Sequence, residues 1–164
     1  MRALLISILL LFYGSISYSQ TQATATFTAS VTIIEPIVIT TTSDMNFASL
    51  DAKSGGSVIL TPENDRIITG GLELADGSMV SAASFKVTGE NGYSFSLSLP
   101  QGEYLLSDGS ENIVIRDFTS NFIESDLSPS TPEIKVGATL DIKAGQQPGN
   151  YKTLTSIPVT VNYN

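Results

Sequence analysis

Strict alternation of apolar and polar side chains constrains the fold of this chain more than any other feature of its sequence. The clearest case covers residues 136–144, where small and medium apolar side chains occupy every second position. These apolar residues are Val136, Ala138, Leu140, Ile142 and Ala144. Successive side chains of a β-strand point to opposite faces, so the pattern predicts a strand with one buried face and one solvent-facing face.

A second alternating stretch closes the chain and predicts a terminal hairpin. Residues 145–150 form a predicted loop, in which Pro148-Gly149 suits the central positions of a type II turn. The returning strand places Val159, Val161 and Tyr163 on one face. These three residues also form a candidate interface of the C-terminal strand.

The middle of the chain predicts another hairpin. Residues 83–88 and 93–99 both alternate, and Asn91-Gly92 lies between them. Asn-Gly favours a type I′ turn because both central positions need positive φ.

No stretch after the first twenty residues shows helical spacing, and turn residues recur every 8–12 positions or so, as in sandwiches and barrels. We therefore predict an all-β fold, a two-sheet antiparallel β-sandwich with Greek-key connections. The inner faces are predicted to carry Phe27, Val31, Phe85, Val87, Phe95, Leu97, Leu140, Ile142, Val159 and Val161.

The N-terminus predicts export. Arg2 precedes an apolar run over residues 3–16, and Ser17-Tyr18-Ser19 supplies small residues at the cleavage site. The run is about 14 residues, short of the ~20 that a spanning helix needs. We predict a signal peptide over 1–19 and a single domain over 20–164, with no membrane insertion of the mature chain. The predicted location is the periplasm, the cell surface or the extracellular space.

Composition excludes several functional classes. The chain has no Cys, which excludes a lipoprotein anchor and disulfides, and without His it lacks the usual nucleophile–base pairs and zinc ligands. Its net charge of −8 disfavours nucleic acid as a partner. We predict a protein that is not an enzyme and has no catalytic residues, no metal and no cofactor.

Three weaker patterns suggest ligands. Acidic residues between 108 and 126 could meet around calcium, but they lack the D-x-D-x-D-G order of a calcium loop. Gly70-Gly71 could cradle a phosphate, although a β-bulge fits better because no helix follows. Several tyrosines could stack on sugars or cap the core with their hydroxyls. The acids are Asp108, Glu111, Asp117, Glu124 and Asp126, and the tyrosines are Tyr93, Tyr104, Tyr151 and Tyr163.

The first strand of the predicted mature chain is a candidate for self-association. Threonine and serine residues alternate there with Ala25, Phe27, Ala29, Val31 and Ile33. Such a strand can pair within its own domain or add to an exposed sheet edge of a neighbouring molecule. Both alternatives remain open from the sequence.

Nearly all of the predicted mature chain resembles bacterial domain-of-unknown-function family 4402. The resemblance rests on ASFKVTGENGYSFSLSLP in the middle and on VGATLDIKAGQQPGNYKTLTSIPVTVNYN at the end. The ending is also similar to spore-coat-U and chaperone–usher pilin-like proteins, whose subunits are immunoglobulin-like sandwiches. The resemblance implies an exported structural protein and supplies no catalytic residues.

Two functional hypotheses follow. The first is a secreted or cell-surface structural subunit, fimbria-like or coat-like, that associates with itself or with other surface subunits through strand pairing. The alternative is an extracellular binding module for a glycan or a calcium-dependent partner. A hydrolase is disfavoured because His and Cys are absent.

Overall fold

The structure, a computed structural model, describes residues 22–75, 77, 79–124, 126–128, 131 and 133–164. The predicted signal peptide over 1–19 lies outside the described residues. The chain divides into two units between Ile33 and Ile34. The second unit, residues 34–164, is called the body below.

The body is built from β-strands, and no helix occurs among the described residues, so none can span a membrane. Its longest strands are the nine-residue β9 and β10. In chain order the strands are β1 (Val38–Ser43), β2 (Leu50–Asp51), β3 (Gly56–Leu60), β4 (Arg66–Gly70), β5 (Glu73–Leu74), β6 (Ala83–Thr88), β7 (Phe95–Ser98), β8 (Tyr104–Ser107), β9 (Asn112–Ser120), β10 (Ile134–Ile142), β11 (Lys152–Thr153) and β12 (Thr160–Tyr163). The all-β prediction is confirmed.

Strand β10 lies at the centre of the larger sheet. One edge of β10 pairs with β9, which continues to β8 and β11. The other edge is shared, because β6 pairs with residues 134–136 and β3 pairs with residues 138–142. The sheet therefore branches at β10, with β6 and β1 on one branch and β3 and β4 on the other, and all of these pairings are antiparallel.

A β-bulge in β9 changes which side chains face inward. Gly137 pairs with Thr119 and Thr139 pairs with Arg116, so Asp117 and Phe118 together oppose a single residue of β10. Asp117 adopts a positive φ of 52°, a conformation that Asp tolerates better than most residues. The bulge shifts the alternation by one residue, so that Phe118 packs against the core and Asp117 is exposed.

Two small sheets, β7–β12 and β2–β5, complete the strand pairing. Phe95 of β7 and Val161 of β12 join Val87, Ile134 and Val136 of the larger sheet in one buried cluster. A second cluster centres on β3, β9 and the last half of β10, and Met45 and Phe118 pack against both clusters. Of the predicted inner-face residues, Val87, Phe95, Leu140, Ile142 and Val161 are buried, while Phe85, Leu97 and Val159 are partly buried.

Both predicted hairpins at the alternating stretches are wrong. Strand β6 pairs with β1 and β10, whereas β7 pairs with β12, so the chain changes sheets at Asn91-Gly92. Only Gly92 of this turn has positive φ, which excludes the type I′ geometry that joins hairpin strands. The predicted terminal hairpin is wrong because β10 pairs with β9, β6 and β3 and not with the strand that follows it. In addition, Gly149 does not adopt the positive φ that a type II turn requires.

The predicted first strand is also absent from the structure. Residues 22–37 belong to no strand, and Phe27 and Val31 are exposed, so their assignment to the core is wrong. Alternation alone does not make a strand, because a strand also needs a partner for its backbone N–H and C=O groups. No described residue pairs with residues 22–33 through its backbone.

Candidate interaction surfaces

The first candidate surface is the N-terminal segment, defined here as residues 22–33. Phe27 is 91%, Val31 85% and Ile33 89% exposed. Every residue of the segment is solvent-exposed, and none carries a charge. Ala25, Phe27, Ala29, Val31 and Ile33 therefore present their apolar side chains to water.

The second candidate surface is the free edge of β4, residues Arg66–Gly70. Strand β4 pairs with β3 on one side, and no described strand pairs with its other side. Ile67 is 52% and Ile68 37% exposed. Arg66, the one charged residue of the strand, donates from Nη1 to the backbone oxygens of Phe47 and Ser49 at 3.0 and 3.4 Å, so its charge is directed into the body.

The residues of the predicted C-terminal interface lie within the body. Val161 is buried between the sheets, and Val159 is partly buried at the wall of a cleft. The Tyr163 hydroxyl donates to the Glu35 backbone oxygen at 2.7 Å and accepts from the Glu90 backbone N–H at 2.6 Å. Tyr163 thus connects the beginning of the body to its last strand.

A cleft of about 850 Å³ opens between residues 45–53 and the loop at residues 145–151. Buried Ile113, Leu140 and Ile142 line this cleft, and Gln146, Gln147, Asn150 and Tyr151 add polar groups. Apolar walls with a few polar groups are typical of small-ligand sites. A second cleft of about 670 Å³ is lined mainly by apolar residues, including Phe85, Phe118 and Ile157.

Gln146 has an unsatisfied acceptor at the larger cleft. Its Nε2 donates to Glu111 Oε2 at 2.6 Å and to the Tyr151 hydroxyl at 3.0 Å. Its Oε1 is buried and has no hydrogen-bond partner. Rotating the amide by 180° would place Oε1 against the Glu111 carboxylate, so the orphaned acceptor cannot be removed in that way.

A family model described as "Domain of unknown function (DUF4402)" matches residues 37–163, most of the chain and nearly all of the body. The chain belongs to this family. No curated protein and no solved structure gave a significant match. The match begins after the N-terminal segment, so residues 22–33 lie outside the part that this chain shares with the DUF4402 family.

The acidic residues of this DUF4402 member are dispersed among different partners. Asp108 accepts the backbone N–H groups of Glu111 and Ser110, and these bonds lower the pKa of its carboxyl. Asp117 pairs with Arg116, and Glu124 accepts from the Asn164 side chain. Within the part of the chain that the structure describes, no three acidic side chains are grouped closely enough to hold a metal ion. The predicted acids are therefore not brought together.

An ion pair outside the predicted set joins three strands. Arg116 Nε lies 2.5 Å from Asp141 Oδ2, and Ser57 Oγ donates to Asp141 Oδ1 at 2.6 Å. The hydrogen bond from Arg116 is the main reason that the pKa of Asp141 lies below its ordinary value. This ion pair connects β3, β10 and β9, which is a structural role.

The four tyrosines do not form one platform. Tyr93 and Tyr163 contact edge to face, with ring centroids 5.7 Å apart, whereas Tyr104 packs on Phe118 at 5.8 Å. Tyr151 lies at the larger cleft. Gly70 ends β4, and the Gly71 N–H donates to the Gly55 carbonyl, so this Gly-Gly pair continues the contact with β3.

Sequence reasoning missed the β4 edge and the Gln146 acceptor. The apolar residues of β4, Ile67 and Ile68, give no sign that this strand lies at a sheet edge, because that depends on non-local pairing. In the sequence, Gln146 is one residue of a predicted polar loop, and nothing distinguishes it from the other residues of that loop. The burial of its Oε1 arises only because the loop lies against Glu111.

Proposed function

We propose that this protein is a non-enzymatic structural subunit of the cell surface that assembles through β-strand pairing. The observation that supports the proposal is the N-terminal segment, an uncharged alternating stretch that is exposed and pairs with none of the described strands. Its three largest side chains are Phe27, Val31 and Ile33, each more than four-fifths exposed. Burial of such side chains stabilises a complex by about 1.5–3 kcal/mol for each one that is fully removed from water.

The backbone of the segment supports the same proposal. Residues 22–33 form no strand, and no backbone hydrogen bond joins them to another described residue, so their N–H and C=O groups can pair with another chain. Addition of an extended segment to a sheet edge satisfies these groups, and the alternate side chains determine which partner is accepted. The segment contains no Pro and no charged residue that would oppose such pairing.

The proposal also covers the location of the protein and the type of β-fold to which it belongs. The apolar N-terminus with Arg2 and the small residues before Gln20 support export by a cleaved signal peptide. The contacts of β7 and β12 with the larger sheet support an immunoglobulin-like, pilin-like sandwich. The partner on this proposal is a second copy or another surface subunit, and no cofactor takes part.

Removal of the apolar face of the segment tests the proposal. We expect Phe27→Ser with Val31→Ser to convert the assembled full chain into folded monomers, because the exposed apolar contacts are lost. Size-exclusion chromatography with light scattering measures the mass, and circular dichroism reports whether the body remains folded.

The matched control changes the opposite face of the same segment. Thr28→Ser with Thr32→Ser alters two exposed positions and keeps every apolar side chain. We expect this control to assemble like the unchanged protein. If the unchanged protein is itself a folded monomer at high concentration, the structural proposal is wrong.

The orphaned Gln146 acceptor favours a second candidate function, a binding module for a hydroxyl-rich ligand such as a glycan. Gln146 Oε1 is buried, so a ligand hydroxyl would reach it only if the loop at residues 145–150 moved aside. The new hydrogen bond would then satisfy a group that costs about 1–3 kcal/mol to leave unpaired. Tyr151 at the same cleft offers a ring on which a sugar could pack.

A glycan array tests this second candidate. We expect binding to a subset of glycans that is lost in Gln146→Ala and kept in Gln101→Ala, which changes an exposed glutamine outside the lining of this cleft. Thermal unfolding of both variants shows whether the body is intact. Absence of binding on the array, or equal loss in both folded variants, contradicts a glycan-binding role.

A further inference from the structure

The hydrogen-bonding phase of β4 determines which of its backbone groups are available to a partner. The Gly71 N–H donates to the Gly55 carbonyl at 2.8 Å, and the Thr61 N–H donates to the Asp65 carbonyl at 2.9 Å. The register between these two bonds is continuous. Hydrogen-bonded pairs alternate along an antiparallel ladder, so Arg66, Ile68 and Gly70 direct their N–H and C=O groups away from β3.

The β4 edge has only one of the usual protections of an edge strand, the inward-directed charge of Arg66 at its first position. Edge strands are commonly guarded by Lys, Pro, bulges or inward-pointing charges. Strand β4 contains no Lys or Pro and no bulge, and the Arg66 charge is held by backbone oxygens of the body. Residues 67–70 are all exposed.

Other edges are less suitable. Strand β1 has a register shift between Thr41 and Ser43 that interrupts its ladder, and it begins two residues after Pro36. Strand β7 has four residues and is followed closely by buried Pro100. The β4 edge is the longest of these three with an unbroken register.

We infer that the β4 edge is the acceptor for the N-terminal segment of a second copy, an inference that rests on the proposed strand-mediated assembly. The two surfaces complement each other, because the segment is an unpaired strand-like stretch and β4 is a strand with an unpaired edge. Neither presents a free charge to the other. A segment residue hydrogen-bonded to Ile68 points to the same face as Ile68, so Ala25, Phe27, Ala29, Val31 and Ile33 would extend the apolar face of β3, which carries buried Val58 and Leu60.

The polar face of the segment would then lie beside Ile67. In the new pairing Ile67 occupies a non-hydrogen-bonded position, where opposing side chains come closest. Such positions bring β-carbons within the range that a disulfide can bridge. The chain has no cysteine of its own, so every disulfide formed must involve introduced residues.

Disulfide trapping between two single variants tests the inference. Full chain carrying Ile67→Cys is mixed with full chain carrying Thr26→Cys, Thr28→Cys or Ser30→Cys under mild oxidation, and the products are resolved on a non-reducing gel. We expect a disulfide-linked heterodimer between Ile67→Cys and at least one of the three N-terminal-segment variants. The matched control is Ala29→Cys, which lies between Thr28 and Ser30 but on the opposite face, and we expect it to give no heterodimer.

A proline variant gives an independent measurement. Ile68→Pro removes one outward N–H and keeps the β3–β4 hydrogen bonds, which use the neighbouring residues. We expect a folded protein by circular dichroism that has lost its assembled mass in light scattering. If this variant does not fold, disulfide trapping alone decides the inference.

The outcomes separate this inference from the proposed function. Suppose that Phe27→Ser with Val31→Ser abolishes assembly, but none of the cysteine variants of the N-terminal segment links to Ile67→Cys. The segment then binds a surface other than the β4 edge, and the β4 inference is overturned. Equal linkage of Ala29→Cys and its neighbours, or linkage of Ile67→Cys chiefly to itself, also overturns it. The last result would indicate pairing of two β4 edges.

Discussion

Gly137→Ala is expected to destabilise the body by about 3 kcal/mol or more, a large fraction of the ~5–15 kcal/mol that stabilises a typical domain. Gly137 lies in β10 at the junction between the branch that begins with β6 and the branch that begins with β3. A β-carbon at Gly137 would lie 2.1 Å from the Leu60 carbonyl oxygen and 2.9 Å from the Thr61 carbonyl carbon. Both neighbours are backbone atoms, so relief requires movement of the chain itself.

The appropriate control is Gly145→Ala, which makes the same chemical change in the loop after β10. Gly145 has no neighbouring atom within 4 Å of its added β-carbon, but its φ of 71° is unfavourable for Ala. That conformation costs roughly 1–2 kcal/mol. Urea unfolding followed by circular dichroism measures both variants. A Gly137→Ala protein no less stable than Gly145→Ala would show that the sheet does not branch tightly at β10.

Gly137 also illustrates what the sequence could predict. Alternation correctly placed Leu140 and Ile142 on a buried face of a strand over this region. It placed Gly137 and Thr139 on a solvent face, yet both are buried. Alternation reports the two faces of a strand, but it carries no information on which strands cover its edges or its outer face.

The pairing errors have the same cause. Asn91-Gly92 predicted a local hairpin, but the Gly92 N–H donates to the Leu127 carbonyl and the Leu127 N–H donates to the Tyr93 carbonyl. These bonds attach the turn to Leu127, which is more than 30 residues away in the sequence, and β6 and β7 therefore do not pair with each other. By contrast, the Asp108-Gly109 turn joins β8 to β9 as a local hairpin, because the Asp108 carboxylate accepts two backbone N–H groups within the turn.

The candidate surfaces were predictable in part. The N-terminal segment was identifiable because five apolar residues alternate with threonine and serine next to a predicted cleavage site. The β4 edge was not identifiable, since its exposure depends on the position of β4 at the end of a branch. The bulge at Asp117 was equally hidden, because Arg116, Asp117 and Phe118 give no turn signal in the sequence.

Phe95 and Phe27 were both predicted for the inner faces of the sandwich, but they have opposite environments in the structure. Substitution of each by alanine is therefore expected to have very different effects. Phe95 is fully buried, and its ring centroid lies 4.9 Å from that of Phe122. Phe95→Ala is expected to destabilise the body by about 3–5 kcal/mol, through lost burial and the cavity left behind. Phe27→Ala is expected to change stability by less than about 0.5 kcal/mol, since the Phe27 side chain is already in water.

Measurement at low protein concentration separates folding from assembly in this pair. In the dilute monomer, Phe27→Ala should unfold at the same urea concentration as the unchanged protein, whereas Phe95→Ala should unfold much earlier. At high concentration Phe27→Ala should lose assembled mass, because Phe27 belongs to the face proposed to bind a second copy. A large loss of stability for dilute Phe27→Ala would place the N-terminal segment inside its own domain as an ordinary first strand, and the proposed assembly would then lose its donor.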